Sequence, residues 1–228
     1  MSIDDNHRSR DNVLARVRVA LGRRGSEQAA RDAALAYLAA RKQGPRPALS
    51  GDLVDVFLTR AGDMESTVER VATLDDVAVA VARYVATLPT TCSDPTQDPR
   101  AGVCWPEFGW LEWKAAGLTI ESRPTVGHDA LGITGCFCAI AETGTLVFVT
   151  GAETPTGAFL LPETHVAIVR ADQIVPGMEE AFAHVRSERR ALPRAINFVS
   201  GPSRTGDIEQ TIVLGAHGPR RMHIVLVG

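Results

Sequence analysis

The sequence predicts an α/β protein built on a mixed, mostly parallel sheet covered on both faces, preceded by an N-terminal helical extension. Three observations predict it. Short apolar runs of strand length alternate with segments whose apolar residues recur at helical spacing. Several of those runs are apolar on both faces, as buried parallel strands are. Two of them are separated by a short, glycine-containing turn, the signature of an antiparallel hairpin.

The elements follow in order. Val13, Leu14, Val17 and Leu21 form one helical stripe, stopped by Gly22 and Gly25. Ser26 reads as the N-cap of a second helix with a stripe of Ala30, Ala33, Ala34, Tyr37 and Leu38. A third helix places Leu53, Val54, Phe57 and Leu58 on one side. These make an extension over residues 1–64, with the α/β domain over 65–228. That domain opens with a weak strand, Val68–Val71, and a helix capped by Thr73 that runs to Leu88. Residues 89–99 are a polar, proline-containing loop, a candidate mobile segment. Strand Gly102–Trp105, a helix from Pro106 to Ala116 and strand Leu118–Glu121 come next. Ala139–Ala141 and Leu146–Thr150 form the hairpin, and Val166–Val169 is a buried strand. A helix starts at Pro176, and strands Ala195–Ser200 and His223–Val227 close the fold.

The formal charge of −3 conceals an asymmetry: residues 1–46 carry 10 Lys/Arg against 5 Asp/Glu, the remainder 14 against 22. The basic arm lacks the aromatic interleaving of a nucleic-acid binder and reads as a solvated, Arg-rich helical face. No apolar run reaches the ~18–20 residues that a bilayer demands. Met1–Arg10 is polar and charged, so the expectation is a cytoplasmic chain. Cys92, Cys104, Cys136 and Cys138 contain no Cys-x-x-Cys pair, so zinc-ribbon and iron–sulfur spacings are missing. Cys136 and Cys138 read as buried, inert thiols sharing one strand face. Dinucleotide, P-loop and serine-hydrolase motifs are also missing.

Three segments carry polar residues that a fold alone does not demand. In the hairpin turn, Glu142, Thr143, Gly144 and Thr145 crowd a carboxylate and two hydroxyls between apolar strands. Glu142 is either a base or nucleophile or an ordinary turn residue held by its neighbours. The loop after the strand ending at Ser200 reads Gly201-Pro202-Ser203-Arg204-Thr205-Gly206-Asp207-Ile208-Glu209-Gln210. Arg204 offers a planar donor fork for an anion, Ser203 and Thr205 offer hydroxyls, and Gly201 permits close backbone approach. Asp207 and Gln210 resemble a capping box, so a helix is expected to begin there. The crevice at the carboxyl ends of the strands is the expected ligand position. The third segment, Gly215-Ala216-His217-Gly218-Pro219-Arg220-Arg221, holds a histidine that either exchanges protons or merely sits in a turn.

Together these stretches, with Gly132-Ile133-Thr134-Gly135, Ala139–Val147 and Leu161-Pro162-Glu163-Thr164-His165, resemble the LUD domain family over roughly residues 65–228. The resemblance implies the three-layer α/β/α fold shared by sugar-phosphate isomerases and CoA transferases. It implies an accessory role in oxidising L-lactate to pyruvate. It also implies two iron–sulfur partner proteins that carry the clusters, a small anionic ligand, and no cofactor in this chain. On the matching positions, Glu142 and His217 are the candidate proton-exchanging groups. Thr143, Gly144, Thr145, Gly201, Ser203, Arg204, Thr205, Asp207, Glu209 and Gly218 are the candidate anion-binding residues. The fold equally admits a stand-alone CoA-transferase-like or isomerase-like enzyme with Glu142 as its carboxylate. Cys136-Phe137-Cys138 departs from the small or acidic residues that relatives usually carry there.

Overall fold

A computed structural model describes residues 3–22, 28–90, 92–188, 193–208 and 211–228. The chain forms two compact units, residues 1–46 and 47–228. The first holds helices α1 (Ile3–Ala20) and α2 (Gln28–Ala40). The second opens with α3 (Leu53–Asp63), β1 (Thr67–Val71), α4 (Val77–Val85), β2 (Ala101–Cys104), β3 (Thr119–Ser122) and β4 (Leu131–Thr134). It continues with β5 (Cys138–Ile140), β6 (Thr145–Val149), α5 (Gly157–Leu160), β7 (Thr164–Arg170), β8 (Ile174–Val175) and α6 (Met178–Glu188). It ends with β9 (Ile196–Val199), β10 (Arg204–Ile208), β11 (Thr211–Leu214) and β12 (Arg221–Val227).

The boundary differs from the one expected at residue 64. Helix α3 begins at an Asp52 cap, whose carboxylate accepts from the Val54 and Asp55 amides. Phe57 and Ala61, one helical turn apart, are fully buried in the main core. The apolar face of α3 finds a partner in the domain, so the helix belongs to the domain and not to the extension.

Six strands form the main sheet in the order β1-β12-β7-β4-β2-β3, and every neighbouring pair is parallel. Its central strands are apolar on both faces because both are covered: β4 is buried throughout and β7 from Thr164 to Val169. The hairpin β5–β6 does not join this sheet. It forms a second, mixed sheet in the order β8-β5-β6-β9. The period-2 rule divides its residues cleanly. Ala139 and Ala141 pack into the main core, while Cys138 and Ile140 pack with Val147 and Ala181 of α6. The α/β class with a mostly parallel sheet is therefore the one the sequence predicts, with the second sheet between the main core and α6.

Two local expectations fail. Only a single turn of 3-10 helix, Pro106–Phe108, follows β2. Trp105, Phe108, Leu111 and Trp113 are all buried, a spacing no single helical face supplies, and the Trp113 indole donates to the Phe108 carbonyl at 2.9 Å. No helix begins at Asp207 either. That residue lies in β10, which pairs antiparallel with β11 (Arg204↔Leu214, Thr205↔Val213). The β-branched run from Thr211 offers a ladder partner that outweighs the capping-box pattern.

Candidate functional site

The three polar segments meet along the edge at which the parallel strands begin. Gly144, in the turn after β5, has φ +62°, and a Cβ there would lie 2.4 Å from the Ala61 nitrogen. The turn is thus pressed against the end of α3. Thr143 and Thr145 share a hydroxyl hydrogen bond of 2.6 Å, and Thr145 shares another of 2.6 Å with Ser200 at the end of β9. Gly201 follows with φ +75°, its absent Cβ only 2.0 Å from the Met64 carbonyl oxygen. Arg204 pairs with Glu65, just before β1. The Ser203 amide donates to the Pro219 carbonyl at 2.9 Å, and the Ser203 carbonyl accepts from the Gly215 amide at 2.9 Å. The strip from Glu142 to Gly218 is therefore continuous, joined through residues 60–65.

This edge is opposite to the one expected. The Arg204 loop follows β9, a strand of the second sheet, so it does not share the carboxyl ends of the parallel strands. Arg204 and His217 are exposed, and Glu142 is half-buried with its amide donating to the Pro176 carbonyl at 3.1 Å. The side chain of Asp207 and the whole of Glu209 lie outside the described residues.

Beside this strip lies a cavity of about 220 Å³. Its walls include Ser93 of the proline-containing loop, Pro162 and Glu163 before β7, Gly215 and Gly218, and Arg220 before β12. The Arg220 guanidinium donates to the Ser93 hydroxyl at 3.2 Å, and the Ser93 amide donates to Glu163 Oε2 at 2.7 Å. Glu163 is itself neutralised by Arg221 at 2.8 Å, which also donates to the Thr164 hydroxyl at 3.3 Å. Asp94, at the rim, accepts from the Thr96 hydroxyl and amide, which hold its carboxyl below the usual range. Glu163 is thus answered by Arg221 and Asp94 stays an anion at the rim, while Arg220, bonded to the neutral Ser93 hydroxyl, is the guanidinium lining the cavity among the described residues. The arrangement suits a small carboxylate. Ser93 lay outside the polar segments singled out in the sequence, and Arg220, at the end of the third, was given no role there. They stand 127 positions apart, and no local pattern joins them.

A second cleft, of about 420 Å³, opens at the carboxyl ends of the parallel strands. Trp105 and Glu107 follow β2, Cys136 and Phe137 follow β4, Gln173 follows β7, and His184 comes from α6. Gln173 builds its wall by donating to the Cys136 carbonyl at 3.2 Å and accepting from the Arg170 amide at 3.0 Å. His184 sits 3.2 Å from Glu188, an i,i+4 pair that could have been read from the helix pattern. Burial pushes the Cys136 thiol far up and the Cys138 thiol up to about 12. Neither thiol is a nucleophile there. The two thiols pack in different clusters, Cys136 in the main core and Cys138 against α6, rather than on one strand face. Among the described residues, no group of three or more His, Cys, Asp or Glu is placed to hold a metal ion.

The LUD domain model matches residues 108–227, more than half of the chain and all of the strands from β3 to β12. The chain belongs to the LUD domain family. It is 37% identical over 123 residues to "Lactate utilization protein C" of Deinococcus radiodurans, covering 51% of this chain and 58% of that protein. It is 40% identical over 129 residues to "Lactate utilization protein C 1" of Bacillus mycoides, covering 54% and 55%. It is 34% identical over 127 residues to "Lactate utilization protein C" of Bacillus subtilis, covering 54% and 53%. The chain thus matches about half the length of these curated relatives. The crystal structure of a DUF162 family protein from D. radiodurans superposes with a TM-score of 0.55 at 22% identity. It covers 80% of this chain and all of that one, and supports the fold. The LUD match takes in the Glu142 turn, Arg204, the Gly215–Gly218 turn and Arg220. It leaves out Ser93 and both N-terminal helices. No described helix is long and apolar enough to cross a membrane.

Proposed function

We propose that this chain serves lactate utilisation as a non-redox subunit that binds a small carboxylate, lactate or its product, in the cavity beneath Arg220. The observation that carries the reading is that cavity: it lies between two motif segments of the LUD domain, Leu161–Glu163 and Gly215–Gly218, and is crossed by one guanidinium whose partner is neutral. A volume of about 220 Å³ accommodates a three-carbon hydroxy acid with water and is small for a nucleotide or a CoA thioester. Arg220 donates both bonds of its fork to the carboxylate, and Ser93 contributes its hydroxyl. The Gly215 amide is already given to the Ser203 carbonyl, which fixes the 215–218 turn as a wall of the cavity beside Arg220. Arg204 stays paired with Glu65 and holds the neighbouring loop in place. Neither Glu142 nor His217 lines this cavity, and the reading assigns them no proton transfer.

Oxidation of lactate to pyruvate releases two electrons and two protons. The four cysteines of this chain are free thiols, and three of them are buried. In this reading iron–sulfur partner proteins take up the electrons while the chain supplies the carboxylate site. The test pairs two measurements. Lactate is titrated into the purified protein while backbone amide shifts are followed, and an Arg220→Ala gene is asked to restore growth on lactate. Saturable shifts are expected at Gly215 and Gly218, weakened about tenfold or more in the variant, the scale of a lost charge-assisted hydrogen bond. A wild-type protein that shows no shift with lactate or pyruvate, together with full rescue by the variant, would overturn the proposal.

A further inference from the structure

Helix α2 is out of keeping with its surroundings. Ten of its 13 residues are apolar, leaving Gln28, Arg31 and Asp32 as its polar ones, and yet none of its residues is buried. A helix apolar on nearly all sides is normally an interior helix. One of this length is also marginal when isolated in water. Helix α1 shows the same mismatch in milder form. Of the stripe Val13, Leu14, Val17 and Leu21 that the sequence marks as inward, Leu14 is half-buried, but Val13, Val17 and Leu21 are 57%, 47% and 64% exposed. In α2, Leu35, Tyr37 and Leu38 are 63–70% exposed.

We infer that the unit formed by residues 1–46 is a self-association module, and that a second copy of this chain covers it. Area and charge select that occupant. The six exposed side chains named present an area on the order of the ~800 Å² that one partner contributes to a stable interface. The charge that makes the arm basic lies outside the helices. Helix α1 carries Arg8, Arg10, Arg16 and Arg18 against Asp4, Asp5 and Asp11, and α2 carries Arg31 against Asp32. The helices are therefore close to neutral, and most of the excess comes from Arg23, Arg24, Arg41, Lys42 and Arg46, less Glu27. Two copies can bring their nearly neutral helical faces together without strong like-charge repulsion. An acidic partner, by contrast, would find little net charge on the helices to recognise. Two pairs of helices form the minimum that makes a bundle with an interior, which is what an all-round apolar helix demands.

The test uses the full chain. Its mass is measured by light scattering after gel filtration from about 1 to about 100 μM, beside a Leu35→Glu/Leu38→Glu variant, and helicity is followed at 222 nm. The expected result is a wild-type species of twice the 24.4 kDa chain mass that dissociates on dilution with loss of helical signal. The variant should remain at 24.4 kDa with the thermal transition of its 47–228 domain unchanged. A wild-type monomer at the highest concentration would overturn the inference, including the case in which the arm binds a different protein. So would a dimer that persists in the variant, since it would place the interface on the other unit.

Discussion

Acidification from pH 7 to 5 should destabilise this protein through two histidines that belong to no site. His165 on β7 is fully buried, its Nε2 2.9 Å from the Thr134 hydroxyl and its ring beside Phe148 and Phe159. His223 on β12 is 3% exposed, bonded to Thr67 at 2.8 Å and stacked on Tyr84 at a centroid distance of 3.9 Å. Among the described residues each has one ring nitrogen without a partner, His165 Nδ1 and His223 Nε2, so no acceptor there is placed to receive a second proton. Burial lowers the pKa of His165 to about 3 and that of His223 to about 4, the latter against a small opposing pull from Glu69. The ordinary value in an unfolded chain is about 6.5. A lowered folded pKa means that the unfolded chain takes up protons first. Stability is therefore intact above pH 6.5 and falls as the pH drops below it, until the folded pKa is reached. At pH 5 each histidine contributes a loss of about 2 kcal/mol, about 4 together, a large part of a ~5–15 kcal/mol total. Urea unfolding followed by tryptophan fluorescence at pH 7.5, 6 and 5 measures it. The slope below pH 6 should approach ~2.7 kcal/mol per pH unit and halve in a His165→Gln variant. A stability that is flat between pH 7 and 5, or a variant that retains the wild-type slope, would refute the reasoning. Carboxylates held low, such as Asp129 bonded by Arg123 and Thr125, lose their contribution only at lower pH and leave this window clear.

Two further outcomes test the packing. Gly144→Ala and Gly201→Ala each force a side chain into positive φ and onto backbone atoms 2.4 and 2.0 Å away, so each should cost more than the ~1 kcal/mol of the φ penalty alone, read as a lowered urea midpoint. Among the thiols, half-buried Cys92 should alkylate first at pH 8. Cys136 and Cys138, buried and raised, should react only as the protein unfolds, as mass spectrometry of iodoacetamide adducts would show.

The elements legible in the sequence are those whose pattern is decided locally. β7 and β12 are apolar on both faces wherever they sit, and the β5–β6 hairpin follows from a turn between two apolar runs. Helix α3 was legible as a helix but not as part of the domain, because an amphipathic stripe says nothing of which surface meets it. The same ambiguity runs the other way for α1 and α2, whose apolar stripes are legible in the sequence and yet remain largely exposed. The segment after Pro106 shows the limit from another side. A proline that suits the first turn of a helix cannot compete with four large side chains, Trp105, Phe108, Leu111 and Trp113, that all reach the core.

The candidate site divides along the same line. The motif segments were found because each is locally odd, with hydroxyls and glycines where strands should simply turn. Their convergence follows from tertiary contacts, Gly144 on Ala61 and Gly201 on Met64, that need coordinates. The choice of arginine illustrates the difference. Arg204 draws attention in the sequence because glycines and hydroxyls surround it, but in three dimensions Glu65 already occupies its charge. Arg220 stands beside a second arginine before a plain apolar strand and looks like a solvated flank. It becomes the candidate anion donor because its neighbour Arg221 answers Glu163, while Arg220 bonds the neutral hydroxyl of Ser93, brought in from a loop 127 residues away. Motif density marks where a backbone must approach closely. Which charge is left to bind a ligand depends on the pairing of every other charge nearby, and that pairing exists only in the folded chain.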